Sequence, residues 1–381
     1  VRKVAAGTGT ITTVAGTGTN IYNGNDIAAT SANLGNISSI AIDSSGNLYI
    51  ATDVLVRKVT AATGLISTVA GGLRLLPGSF NGDGFPATNA LFYTLESMAI
   101  DSAGNIYLAD SGERRIRKIS ASTGLITTVA GGDGAGSTGD NIAATDARLG
   151  SPTGVAVDSL GNLYIADKDA NRIRKVVLAT GVITTVAGTG AVGYDDDDNI
   201  AATKANLYSP RGVAVDKMGN FYIQSTRIKK VTISTGIITT VAGTGPSGLN
   251  GDNIPATSAI LDAVGITASS SGDLYIAEIR NPRIRKVSAA TGIITTVAGN
   301  GLMGYGDNIV ATNATLRPTG VAVDVGGNVY VADAASNRVR KIAKATGMIT
   351  TVAGNGSAGF SGDNAIATSA ALHFPSAVAV D

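Results

Sequence analysis

The stretch Gly154-Val155-Ala156-Val157-Asp158-Ser159-Leu160-Gly161-Asn162-Leu163-Tyr164-Ile165-Ala166-Asp167 holds two short β-prone runs on either side of a turn. The runs are Val155–Asp158 and Leu163–Asp167, and the turn between them carries a glycine free to take a positive φ. After a second turn around Asp169-Ala170-Asn171 comes a third run, Arg172-Ile173-Arg174-Lys175-Val176. Beyond Ala179-Thr180-Gly181 lies a fourth, Val182-Ile183-Thr184-Thr185-Val186, ended by Ala187-Gly188. Four short strands joined by three tight connections make an antiparallel meander, which is the blade of a β-propeller.

The unit is copied along the whole chain. Thr-Val-Ala-Gly recurs seven times, starting at Thr13, Thr68, Thr128, Thr185, Thr240, Thr296 and Thr351, at spacings of 55, 60, 57, 55, 56 and 55 residues. Self-similarity at one period means one supersecondary unit in series, so residues 1–381 read as a single all-β propeller domain. The connections between units repeat as well: a Gly/Asn/Asp stretch, then Ala-Thr, then Ala-x-Leu or Ala-Leu, as in Asp307-Asn308, Ala311-Thr312 and Ala314 to Leu316. This pattern predicts one short helical turn per insert. The recurring Asp83, Asp140, Asp252, Asp307 and Asp363 are expected to cap it, and Leu34, Leu91, Leu149, Leu207, Leu261, Leu316 and Leu372 to anchor it in the blade.

The run Pro-x-Gly-Val-Ala-Val-Asp, then Gly-Asn-Leu-Tyr-Ile-Ala-Asp, then Asn-Arg-Ile-Arg-Lys-Val (Pro152 to Val176) resembles the NHL repeat. The inserts and the Ile-Thr-Thr-Val-Ala-Gly endings resemble the long form found in bacterial surface proteins and the teneurin ectodomain. The resemblance covers essentially the whole chain. It implies a propeller, usually six-bladed in that family, that serves most often as a binding or scaffolding platform.

Counting strands favours seven blades over six. The chain opens with a third strand (Val1–Val4) and a fourth (Ile11–Val14), six complete units follow, and it stops after a first strand at Ala377–Asp381, for 27 strands in all. Six blades would leave three strands with unpaired edges, which propellers avoid. The expected seventh blade is formed from both ends and lacks its Gly-Asn-Leu-Tyr-Ile-Ala-Asp strand. Either the chain continues past Asp381, or a neighbouring subunit donates the strand, which would make the blade a point of self-assembly. The start at Val1, inside a repeat, marks a processed or excerpted segment.

Composition narrows the function classes. The longest apolar runs are a few residues, too short for a membrane span. Balanced charge (29 basic, 28 acidic residues) and 4% aromatic content argue against nucleic acid as a partner. The absence of cysteine removes thiolate catalysis and cysteine-ligated metals. The single histidine, His373, reads as a loop residue and supplies no histidine cluster, whereas NHL-like propellers that are metal-dependent lyases or lactonases gather several histidines around the channel.

The candidate sites are few, and no catalytic or cofactor-binding residue is assigned. The strand-two tyrosines (Tyr49, Tyr107, Tyr164, Tyr222, Tyr275, Tyr330) recur in every complete copy and read as packing between blades. The strand-three basic pairs (Arg57-Lys58, Arg117-Lys118, Arg174-Lys175, Lys229-Lys230, Arg285-Lys286, Arg340-Lys341) alternate across the blade, with heads expected to reach Asp110, Asp167, Glu278 or Asp333. Their functional alternative is an RNA-binding face, as some NHL propellers have. Asp195-Asp196-Asp197-Asp198 is the one dense acidic run, a solvated insert tip or else a calcium site. Asn36, Asn313 and Asn355 head glycosylation sequons. A binding site is expected where copies depart from consensus: Leu73–Gly84, the Asp195–Asp198 loop, and the fifth blade with Ala268-Ser269 and Glu278.

These readings converge on a non-catalytic extracellular or cell-surface propeller, a scaffold for protein or glycan binding, adhesion or assembly, and a segment of a larger surface protein or filament. The alternatives are a metal-dependent propeller hydrolase or lyase, or an RNA-binding NHL domain.

Overall fold

The computed structural model describes residues 1–5, 8–19, 22–72, 82–132, 139–193, 197–216, 218–244, 251–269 and 271–380. Its strands form seven antiparallel sheets, the blades of a β-propeller. Internal contacts divide the chain into two units, Ala15–Thr240, and Val1–Val14 with Val241–Asp381. In the third blade, Pro152–Val157, Asn162–Asp167, Arg172–Val177 and Val182–Ala187 pair in sequence order, each antiparallel to the next.

The register explains why Thr-Val-Ala-Gly recurs. Strand three pairs Ile173 with Ala187 and Arg174 with Thr185, so Val186 is skipped in a bulge. The same shift falls between Val56 and Arg57, Ile116 and Arg117, Ile284 and Arg285, and Val339 and Arg340. The alanine is buried in every copy, from Ala15 to Ala353. The glycine takes a positive φ, 92° at Gly188, where a Cβ would come within 2.3 Å of the Asn171 carbonyl oxygen. Its N–H donates to an insert carbonyl, that of Ala202 at 2.9 Å in this copy. Each position of the tetrapeptide thus has a place of its own: a paired threonine, a bulged valine, a buried alanine and a glycine at positive φ.

The four-strand blade of the sequence reading gains a fifth strand. The insert leading into a blade lays two residues along the outside of strand four, as Ile142 and Ala143 do against Ile183 and Val182. Five of the seven sheets are five-stranded in this way, and in the second blade the contact narrows to one bridge between Pro86 and Leu125. Two residues are too few to show the alternation by which a strand is recognised in sequence.

The predicted helical turn is present as a single 3-10 turn in six inserts, Ala29–Ser31, Ala87–Asn89, Ala202–Lys204, Ala256–Ser258, Ala311–Asn313 and Ala367–Ser369. The aspartates do not cap it. The cap positions are Ala28, Pro86, Ala201, Pro255, Val310 and Ile366, none with a side-chain cap. The outer strand, or in the second blade the Pro86 bridge, stands between the aspartate and the turn, and the carboxylate bonds to the blade instead.

Apolar clusters form where one blade meets the next. Tyr49, Ala51 and Val56 of the first blade pack with Phe92, Leu95 and Leu108 of the second, and Tyr107 with Leu149 and Leu163. In the other unit Tyr275 packs with Leu316 and Val331. The insert leucines are buried except Leu91 and Leu261, which are half-buried; Phe92 takes the anchoring place beside Leu91.

Ala377–Asp381 does not form the expected first strand, since residues 373–380 belong to no strand. The segment does lie where a first strand would. An added Cβ on Gly320 would meet Ala377 at 2.9 Å, just as one on Gly154 would meet Gly212 of the following blade. A strand needs a neighbour to hydrogen-bond with, and no strand two stands beside this segment among the described residues.

Candidate ligand-binding site

The first basic residue of each strand-three pair is removed from solvent: Arg57, Arg117, Arg174, Lys229, Arg285 and Arg340 are 0–1% exposed, and the five arginines directly follow the bulge. A buried guanidinium loses its hydration and needs charge and hydrogen bonds in return. The repeat supplies these from two directions. The insert aspartate reaches in, pairing Asp83 with Arg117 at 2.6 Å, Asp140 with Arg174 at 3.2 Å, Asp252 with Arg285 at 3.0 Å, Asp307 with Arg340 at 3.0 Å, and Asp363 with Arg2 at 2.8 Å. The carboxylate ending strand two comes from the other side, Glu278 to Arg285 at 3.5 Å and Asp333 to Arg340 at 3.3 Å.

Those carboxylates also hold the insert. Asp167 Oδ1 accepts the N–H groups of Gly150 and Ser151 at 2.8 and 2.9 Å, and Asp333 Oδ1 that of Arg317 at 2.9 Å. The insert aspartate tethers strand four, with Asp140 Oδ1 accepting the Thr185 N–H at 2.5 Å and Asp252 Oδ1 the Thr296 hydroxyl at 2.9 Å. Burial pushes the Asp110 carboxyl up to about 6, the Arg117 charge opposing it only in part.

The first blade breaks both halves of this arrangement. Its insert reads Gly24-Asn25-Asp26, so a neutral amide stands at the aspartate position. Asn25 Oδ1 still accepts the Thr68 N–H and hydroxyl at 2.7 and 2.9 Å, which keeps the tether and drops the charge. Strand two ends in Thr52, whose hydroxyl turns to the Leu55 carbonyl at 3.2 Å. Arg57 keeps the bond to the insert carbonyl that Arg174, Arg285 and Arg340 also make, here Gly24 at 2.7 Å, and lies 5.0 Å from the Tyr22 ring centroid, with no carboxylate in ion-pair range among the described residues. Burial pushes its guanidinium below the ordinary value, opposed by Tyr22 alone.

Beside this arginine lies a cavity of about 430 Å³. Leu34, Gly35, Thr52, Leu55, Phe92 and Tyr93 contribute to its wall, and Tyr22 and Arg57 also line it. A concave, largely apolar space with a few convergent polar groups is the form of a small-molecule site. The residues that make it were legible in the sequence. The signal is one repeat in which the basic residue keeps its place while both acidic partners are exchanged.

The second basic residue of each pair takes the other face. Its ammonium sits over the strand-two tyrosine ring, 5.4 to 5.9 Å from the centroid in all six complete blades. Both halves of the pair are thus engaged inside the blade.

Asp195 and Asp196 lie outside the described residues. Asp197 Oδ2 accepts the Asn206 N–H at 2.7 Å, its carbonyl accepts Lys229 Nζ at 2.6 Å, and Asp198 accepts the Thr240 N–H. Asp198 is thus the fourth blade's insert aspartate, and Asp197 fills the glycine place before it. Leu73–Asn81, most of the long second insert, is also outside the described residues. The fifth blade's departure is a rearrangement inside a turn. Elsewhere an aspartate closes the first hairpin, as Asp158 does by accepting the N–H groups of Leu160 and Asn162 at 3.0 and 2.8 Å. In the fifth blade Ser269 replaces it, and Asp273 across the turn accepts the Ala289 N–H and pairs with Lys286, at 2.9 and 2.8 Å. His373 is exposed, edge-on to Phe374 at 5.1 Å. Asn36, Asn313 and Asn355 are exposed. No three His, Asp or Glu residues cluster as a metal set among the described residues, and no helix there is long and apolar enough to cross a membrane.

Comparison with known proteins agrees with the architecture. The profile of the NHL repeat matches residues 149–176 and 315–342. NHL repeat-containing protein 2 of Bos taurus is 27% identical over 72% of this chain and 42% of its own length. Teneurin-4 of Mus musculus is 27% identical over 64% of this chain and 10% of its own. The chain therefore spans under half the length of either relative. Among solved structures, an auxiliary nutrient binding protein from Bacteroides thetaiotaomicron superposes with a TM-score of 0.54 at 16% identity, over 89% of this chain and 76% of its own. Virginiamycin B lyase from Staphylococcus aureus superposes with a TM-score of 0.51 at 15% identity, over 83% of each chain. Likenesses at that identity speak to the fold.

Proposed function

From a chain that is an NHL-repeat β-propeller, we propose a non-catalytic binding scaffold, working outside the cell or at its surface as one segment of a larger protein or filament and engaging protein or glycan ligands. The observation that carries this reading is the fate of the charged side chains. In blade after blade the basic residues are spent on carboxylates, carbonyls and tyrosine rings of the same repeat, which makes a rigid frame. Departures from that frame are local, and the first blade's departure opens onto a cavity. The teneurin and the nutrient binding protein support a surface role and a binding role, and the exposed sequons at Asn36, Asn313 and Asn355 fit passage through a secretory route.

The lyase neighbour keeps one alternative in view, a metal-dependent propeller enzyme. Against it stands the lone, exposed His373. The test is a binding screen on immobilised glycans and surface proteins, run with and without a chelator and with the ligand recovered afterwards. The scaffold reading expects saturable binding that survives the chelator and returns the ligand unaltered. A chemically altered ligand contradicts it.

A further inference from the structure

Seven copies of one unit give the molecule its own internal control. In the third blade a carboxylate, Asp167, stands where the N–H groups of Gly150 and Ser151 converge, beside Arg174. Gly35 and Asn36 hold the corresponding places in the first blade, Arg57 corresponds to Arg174, and Thr52 to Asp167. The threonine brings no carboxylate there, and the N–H groups of Gly35 and Asn36 have no acceptor among the described residues. The receiving groups of a carboxylate site are thus present without the carboxylate. Gly35, Thr52 and Arg57 all line the cavity, together with the apolar side chains of Leu34, Leu55 and Phe92. The one acidic side chain recorded beside them, Asp53, is exposed and accepts the Asn36 amide at 3.2 Å.

We propose that the first-blade cavity binds a carboxylate carried on a small apolar body, a free organic acid or the C-terminal residue of a peptide. The ligand's carboxylate takes the place that Asp167 fills in the third blade, accepting from Gly35 N–H and Asn36 N–H and facing the Arg57 guanidinium. Its apolar body lies against Leu55 and Phe92. A guanidinium and two backbone donors around one carboxylate are charge-assisted bonds, the strong class of hydrogen bond. A volume near 430 Å³ suits a ligand of one aromatic ring and a short chain. This proposal rests on the scaffold reading and gives one of its ligands a chemical class.

The test is calorimetric titration with phenylpropionate, its neutral amide, and a short peptide ending in phenylalanine with a free carboxylate. Wild type is set beside Thr52→Asp, a variant that folds as its sibling blades do because the second, third, fifth and sixth carry an acid at that place, Asp110, Asp167, Glu278 and Asp333. The expected result is binding of phenylpropionate to wild type, at least about tenfold weaker binding to Thr52→Asp, and at least about tenfold weaker binding of the amide. The peptide binding as tightly as phenylpropionate marks a chain terminus as the source; phenylpropionate alone binding marks a free acid, and either supports the site. No binding of any acid, or equal binding to wild type and Thr52→Asp, overturns it. If that failure comes with glycan or protein ligands still binding both forms, the carboxylate site falls and the scaffold reading stands. If phenylpropionate binds as expected and is converted, the site stands and the non-catalytic reading falls.

Discussion

The first and sixth blades carry the same arginine at the same point of the same strand and treat it in opposite ways. Arg340 lies between Asp307 and Asp333, at 3.0 and 3.3 Å, with its own side chain and that of Asp333 fully buried. Arg57 is as deeply placed and keeps two contacts that Arg340 also makes, an insert carbonyl and a tyrosine ring, but it meets a cavity where Arg340 meets carboxylates. The sixth blade shows what the repeat needs in order to hold its insert. The first shows that the need is local, since Asn25 preserves the strand-four tether without the charge. A repeat protein can therefore release one buried cation from structural work without losing the blade.

The largest expected effect breaks the sixth-blade arrangement. Arg340→Met leaves Asp333 buried without its partner and should cost about 3–5 kcal/mol, whereas Arg57→Met, which strands no carboxylate, should change stability by less than about 1 kcal/mol. Urea midpoints of the two variants measured together decide this, and equal losses would erase the distinction between the blades.

Next comes pH. Burial first of all, offset in part by Arg117, raises the Asp110 carboxyl from its ordinary 3.8 to about 6. The folded state then holds a proton that the unfolded state has released, so this group's contribution is fully present below the ordinary carboxylate value and is lost as pH rises through about 6. The loss amounts to about 3 kcal/mol across that window. Melting curves of wild type and Asp110→Asn from acidic to neutral pH should diverge in that sense, and parallel curves would refute the assignment. The first blade, with Thr52 at this place, adds nothing to the slope.

Supplying the first blade with an acid should be mildly favourable. Thr52→Asp gives Arg57 a partner and the insert N–H groups an acceptor, for a gain of about 1 kcal/mol seen as a higher melting temperature. A lower melting temperature would mean that the blade has rebuilt its packing around the threonine. The smallest effect belongs to the fifth blade. Ser269→Asp with Asp273→Asn restores the common turn and should shift stability by less than about 0.5 kcal/mol, because one set of turn hydrogen bonds replaces another.

The blades were legible in the sequence because each strand is four to six β-prone residues set between turns, and several turns hold a glycine with a fixed conformational task, Gly161 or Gly188 for example. The outer strands were not, since Ile142-Ala143 carries no period. An aspartate ahead of a helical turn suggests a cap by a local rule, while the actual partner of an insert aspartate, such as Arg174 for Asp140, lies 34 residues away. The composition of the C-terminal segment suits a strand, but strand formation depends on a neighbour. The pairing of the basic residues with Glu278 and Asp333 was visible in advance because both groups recur at fixed places. The first-blade site was visible only when Asn25, Thr52 and Arg57 were read as one set; each exchange alone looks like a conservative change in a tolerant loop.

The most direct measurement is the crystal structure of the protein soaked with phenylpropionate brominated at the para position of its ring, with the bromine located by its anomalous signal. The account predicts one peak in the first-blade cavity, with the carboxylate on Arg57 and the N–H groups of Gly35 and Asn36, and none at the corresponding places of the third and sixth blades. Peaks spread over several blades, or an unoccupied first-blade cavity beside bromine elsewhere, would contradict it.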